Sequence, residues 1–242
     1  MDSISDFLHW FFSFPTATIA LVSTIIAFCA YTYQRKEKRK KQAYQIANIF
    51  GKEFIPKLRF ISYILIDLND SFFSRFSGKM EDFDRSELIS ILNEQHKTIE
   101  DIIVPLEKID INTLESASRR SGLDINSMPC YSLRDTIPEK ERGEQLSFAF
   151  QKFIIDFLNE IEAMALLFRY NIADEKVVYP ILHQLFLKHM KYWYYFIADN
   201  NYQNESQYYV NLIWLYRKWI KRQTEQKQKS AKKPRRPFGG SL

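Results

Sequence analysis

FLNEIEAMALLFRYNIADEKVVYPILHQLFLKHMKYW, Phe157 to Trp193, is the stretch that decides the fold. Apolar residues recur every three or four positions, the spacing that gathers side chains on one face of an α-helix. Upstream and within it the stripe is Leu146, Ala149, Phe150, Phe153, Ile154, Phe157, Leu158, Ile161, Ala165 and Phe168. The stripe stops before Asn171. Asn tolerates the left-handed backbone conformation that reverses a chain at a helix end. Asp174 then stands where an N-cap belongs, its carboxylate in reach of the first free N–H groups of the next helix. That helix carries Val178, Ile181, Leu182, Leu185, Phe186, Trp193 and Ile197. After the polar turn DNNYQNESQ a third helix carries Tyr209, Leu212, Ile213, Tyr216 and Ile220. Short turns make neighbouring helices antiparallel, so residues 144–222 are expected to form a three-helix antiparallel unit.

The helical spacing continues towards the N-terminus. Ala47, Phe50, Phe54, Leu58, Ile61, Leu65 and Leu68 repeat at about 3.5 residues, which fits a coiled-coil seam or one face packed inside its own domain. So few heptads favour the second reading. Gly51 and Pro56 interrupt this helix, and a kink is expected near residues 51–56. Asp84 with Glu87 forms a capping-box arrangement ahead of Leu88, Leu92, Ile99, Ile102, Ile103 and Leu106. Asn112 and Glu115 open a short helix that stops at Gly122. Residues 121–142 read as a long connecting loop. With only six glycines in 242 residues and sparse strand signals, the fold class is all-α.

A different kind of helix lies before this body. Phe14 to Tyr33 is uncharged over 20 residues, within an uncharged run from Phe7 to Gln34. At ~1.5 Å per residue, about 20 residues cross a ~30 Å hydrocarbon core. A cleaved export signal fits poorly. The run is long, Asp2 and Asp6 precede it where Lys or Arg is required, and no Ala-x-Ala site follows. Phe28 before Cys29 is too large for a lipoprotein site. An uncleaved anchor is therefore preferred over a cleaved signal or a buried soluble helix. Arg35, Lys36, Lys38, Arg39, Lys40 and Lys41 follow at once, and such clusters stay on the cytoplasmic side. Trp10, Phe11, Phe12, Tyr31 and Tyr33 mark the two interfaces. The expected layout is a short extracytoplasmic N-terminus over 1–13 and an inner-membrane anchor over 14–34. A basic juxtamembrane segment follows over 35–41, a cytoplasmic helical domain over 42–222 and a basic disordered tail over 223–242.

Charge and chemistry narrow the function. The net charge of +5 conceals a mildly acidic body between two basic ends. Cys29 and Cys130 provide neither a disulfide framework nor a metal set. His183 and His189 fall on different helix faces, and no His-Glu-x-x-His or Glu-x-x-His arrangement exists among the four histidines. There is no Gly-rich phosphate loop. No catalytic residue, metal or cofactor is assigned on these grounds. Asn159 and Glu162, at i and i+3 beside the apolar stripe, are the candidate partner-binding pair, though such pairs more often cap a neighbouring helix or face water. His183 and His189, and the aromatic run Tyr192 to Phe196, read as packing residues. The juxtamembrane cations bind anionic headgroups, act as a topology signal, or do both. In the tail, Lys227, Lys229, Lys232, Lys233, Arg235 and Arg236 suit an acidic lipid or protein surface, or nucleic acid, or are simply solvated.

Phe157–Trp193 also resembles a bacterial and prophage family, the domain of unknown function four-seven-six-zero. The matching positions are Leu158, Asn159, Glu162, Ala163, Ala165, Asn171–Glu175 (NIADE) and Asn211–Trp219 (NLIWLYRKW). The family pattern has Gly where Asn171 stands. This resemblance implies one N-terminal membrane helix and a helical cytoplasmic domain, and no catalytic residues. The expected function is a non-catalytic, membrane-anchored interaction or sensor protein facing the cytoplasm. In the prophage setting it would be a phage-exclusion or defence accessory with an unknown, phage-derived protein partner, and able to form homo-oligomers. The alternative is a nucleic-acid-binding protein held at the membrane and using its basic tail.

Overall fold

The computed structural model describes residues 15–75, 80–101, 106, 109–127, 139–201 and 207–232. Trp10, Phe11, Phe12, Ile102, Ile103, Cys130, Lys233, Arg235 and Arg236 lie outside the described residues. The described residues form helices and contain no strand. α1 is Pro15–Ile49, followed without a break by a π-helical turn, Phe50–Phe54, and α2, Ile55–Arg75. Then come α3 (Arg85–Glu94), α4 (Ile111–Ser121) and a 3₁₀ turn (Ile125–Ser127). The C-terminal part is α5 (Glu139–Arg169), α6 (Glu175–Asn200) and α7 (Val210–Lys232).

α6 is the central helix. α1, α2, α3, α5 and α7 all pack against it, while α4 covers α2 and α7 lies on α5. Its aromatic run explains the position: Tyr192, Trp193, Tyr194, Tyr195 and Phe196 are all buried, so no face of this segment is left for solvent. The Trp193 ring meets Phe157 at 5.7 Å and Phe186 at 5.9 Å, and Trp219 meets Phe186 at 5.0 Å, all edge to face. Each such side chain contributes about 1.5–3 kcal/mol through burial. α5 and α6 fold back on one another at these contacts. Glu175 at the start of α6 reaches Trp219 and Arg222 far along α7, whereas Asn201 past its end touches Tyr208 before α7 begins. α6 and α7 are therefore antiparallel, as expected.

The irregular turn falls where Gly51 and Pro56 place it. Ile55 N–H bonds to the carbonyl of Phe50, five residues back. Pro56 next in line has no N–H to continue the regular ladder. Phe50 and Phe54, four residues apart, both point inward across the turn, with rings 5.5 Å apart. Phe50, Phe54, Leu58, Ile61 and Leu65 are buried in this domain's own core, which settles the 3.5-residue repeat as an internal face.

Four boundaries differ from the sequence reading. The helix from Asp84 was expected to reach Leu106, but α3 stops at Glu94. His96 adopts φ 54° and the Lys97 N–H returns to the carbonyl of Leu92 at 2.9 Å, closing the end. α4 is capped by Asp110, which accepts from the Thr113 N–H at 2.7 Å, rather than by Asn112. α5 begins at Glu139, inside the expected loop, because strong helix formers follow Pro138. α7 runs past residue 222 to Lys232, so the first part of the expected disordered tail is helix. No helix breaker precedes Pro234.

Among the described residues no helix is long and apolar enough to cross a membrane. The uncharged run begins at Phe7, outside them. What is described of α1 is nonetheless unlike the rest of the chain. Residues 19–38 are exposed on every side of the helix, and burial starts only at Ala43. Ile25, Ile26 and Phe28 are 53%, 63% and 67% exposed.

Candidate functional site

The two halves of the candidate partner-binding pair have different fates. Asn159 is exposed on α5. Glu162 is half-buried and turned onto the start of α7. Its carboxylate accepts from Asn211 N–H at 3.0 Å, Asn211 Nδ2 at 2.6 Å and Leu212 N–H at 2.6 Å. These are donors a helix N-terminus leaves without an internal partner, and a carboxylate is the favoured group to receive them. Glu162 caps α7, whereas Asn159 stands on the exposed side of α5.

His183 and His189 pack against neighbouring groups of the fold. His189 is buried, its Nδ1 2.7 Å from the Leu185 carbonyl, and burial holds its pKa down at about 4. It is neutral at physiological pH. His183 stacks on Tyr179 at 4.2 Å. Glu175, almost wholly buried, accepts from Trp219 Nε1 at 2.7 Å and pairs with Lys218 at 3.0 Å and Arg222 at 3.3 Å. Arg222 in turn lies 3.8 Å over the Tyr179 ring. Burial raises the Tyr179 pKa, with Arg222 opposing and Glu175 adding to the shift. This cluster locks α6 to α7. Among the described residues no three His, Cys, Asp or Glu side chains group as metal ligands.

The strongest site involves the basic cluster Arg35–Lys41, and the structure divides it. Lys40 pairs with Glu37 at 2.8 Å and lies with Lys41 along Tyr44 and Gln45. Lys38 is exposed. Arg35, Lys36 and Arg39 instead line a cleft of about 620 Å³ between α1 and the turn joining α5 to α6. Arg39 is half-buried. Its Nη2 donates to Asn171 Oδ1 at 3.2 Å, and its backbone carbonyl accepts from Asp174 N–H at 3.2 Å.

The turn that makes this wall is built as the sequence requires. Asn171 has φ 57°, the left-handed conformation that ends α5. Ile172 N–H and Ala173 N–H both return to the Leu167 carbonyl, at 2.9 and 3.1 Å. Asp174 caps α6, accepting from Lys176 N–H at 3.1 Å. Lys176 brings a further cation to the cleft rim. Nothing local in the sequence marks Lys176 as belonging with Arg35; only the tertiary contact of α1 with α6 brings them together. Among the described residues, no carboxylate pairs with Arg35, Lys36, Arg39 or Lys176. Of the tail cations, Lys227 and Lys229 are exposed on α7, and Lys232 ends that helix.

No family model, curated protein or solved structure matches this chain.

Proposed function

We propose that the chain is a non-catalytic, membrane-anchored interaction protein whose helical domain faces the cytoplasm. The observation that carries this reading is α1, which is exposed and uncharged, with Ile, Leu, Val and Phe on all its sides, until a basic collar, where the core begins. A helix that is hydrophobic on every face is stable only when buried in protein or lipid. Among the described residues, nothing covers this one. The collar Arg35–Lys41 stands where cytoplasmic headgroups would meet it. The absence of catalysis is inferred because each buried ionisable group described above is engaged in capping or packing. In the prophage setting implied by the resemblance, the partner is an incoming phage component; that version rests on the resemblance alone.

The test is membrane extraction and a fusion after Leu242. The protein should resist alkaline carbonate, and a reporter active only in the cytoplasm should function. Release by carbonate, or activity of a periplasm-dependent reporter, overturns the proposal. One observation favours the nucleic-acid reading: α7 carries Lys221, Lys227 and Lys229 outward beyond the core. Recovery of DNA or RNA with the purified chain, lost when these three become Gln, would replace the protein-partner reading with that one.

A further inference from the structure

We propose that the cleft between α1 and the α5–α6 turn binds the phosphate of an anionic phospholipid, one molecule in a defined site. This rests on the membrane reading above and assigns it a ligand. Four cations, Arg35, Lys36, Arg39 and Lys176, line a single cleft without a carboxylate partner among the described residues. Like charges brought together destabilise the fold unless an anion joins them. The acid at the rim, Asp174, is directed to the N–H of Lys176 in its own helix cap.

The arrangement along α1 has the polarity of a lipid. Phe28 and Tyr31 line the end of the cleft nearer the apolar run, and Arg35 and Arg39 follow at helical spacing on the same face. Acyl chain against Phe28 and Tyr31, phosphate between the cations, is the order a bilayer imposes. A volume of about 620 Å³ suits a headgroup with the start of its chains. The walls are joined before any ligand arrives, because Arg39 bonds Asn171 and Asp174 across the gap. A preorganised site loses less entropy on binding. Lys176 distinguishes this site from a diffuse basic collar: it belongs to α6, and a topology signal has no use for it.

The experiment uses the full chain, purified in detergent, with bound lipid counted by native mass spectrometry after adding phosphatidylglycerol or phosphatidylcholine. The wild type should retain one phosphatidylglycerol in preference to phosphatidylcholine. Lys176→Gln and Arg35→Gln should each weaken retention about fivefold, the effect of one basic residue beside an anionic headgroup. Lys38→Gln and Lys41→Gln make the same charge change off the cleft and should leave retention near wild type. Equal losses from both pairs, or equal retention of the two lipids, overturn the site. Inorganic phosphate or a short oligonucleotide displacing the lipid at low millimolar concentration would also overturn it, naming a soluble phosphate or nucleic acid as the occupant. Carbonate extraction of the same membranes separates the two proposals. Release ends both, whereas firm anchoring with no lipid selectivity ends only this one. Lys176 is exposed and outside the core, so its variant folds whatever the answer.

Discussion

Replacing Glu162 tests whether the bundle depends on a cap supplied from another helix. Its carboxylate receives two backbone N–H groups and one side-chain amide at the start of α7. A hydrogen bond to a charged group contributes roughly 1.5–3 kcal/mol, but bonds sharing one acceptor are not additive. A cap alone is worth about 1 kcal/mol, and the charge at a helix N-terminus roughly 0.5 more. Because Glu162 is half-buried, water recovers part of this loss, and Glu162→Ala should cost about 2–3 kcal/mol. Glu162→Gln keeps one acceptor oxygen but turns an N–H₂ group towards donors, so about 1–2 kcal/mol is expected. Urea unfolding of the full chain in detergent micelles, followed by tryptophan fluorescence, measures both. Asn211→Ala completes a double-mutant cycle, in which the pair should couple by about 1 kcal/mol. If both Glu162 variants unfold within ~0.5 kcal/mol of wild type, the cap contributes nothing measurable. If either then loses a captured partner at unchanged stability, Glu162 is a binding residue after all.

Three further outcomes are expected. Asn171→Val should destabilise by about 1–2 kcal/mol, since a β-branched residue is strained at positive φ. Asn171→Gly should stay within ~0.5 kcal/mol of wild type, relief of strain offsetting the lost Arg39 bond; equal tolerance of both would mean no left-handed turn. His189 titrates near 4 when folded against an ordinary 6.5, so the unfolded chain takes up its proton first. Its contribution is complete above pH 6.5 and is lost as pH falls towards about 4, reaching on the order of 3 kcal/mol. His189→Phe should flatten that part of the pH–stability curve, and an unchanged slope refutes the assignment. Trp219→Phe keeps the ring packing but removes the donor to Glu175; a loss of about 1 kcal/mol in urea unfolding is expected, and a neutral result would show that Lys218 and Arg222 suffice.

Local signals were readable wherever chemistry acts over a few residues. Asn171 and Asp174 form the turn their side chains dictate, Asp84 caps its helix by accepting from the Glu87 N–H, and Gly51 with Pro56 mark the irregular turn; the Glu87 carboxylate instead accepts from the N–H groups of Glu81, Asp82 and Phe83 rather than from Asp84. Boundaries failed where weak propensities competed. Nothing in KTIE announces that His96 will turn left-handed, and Glu139–Arg142 looked like loop because of its neighbours rather than its own helix-forming residues. The site was legible only by halves. Arg35, Lys36 and Arg39 are conspicuous in sequence, but their division from Lys40 and Lys41 depends on which face of α1 meets α6. Lys176 and the Asn171 amide join them through a contact spanning more than half the chain, which no local pattern encodes. Glu162 was singled out for its position beside a stripe, yet its role was decided by where α7 begins.

The continuity of α1 and α2 through the π turn has a consequence for encounter. A domain hung on a flexible linker searches a sphere whose radius grows with the square root of the linker length. Here no loop separates the apolar helix from the core, and Asn171 and Asp174 fasten α1 to the α5–α6 turn on its flank. The search volume shrinks to one height and one heading relative to the apolar helix. Effective concentration for a partner presented at that height is correspondingly large, and for one held a few nanometres away it is close to zero.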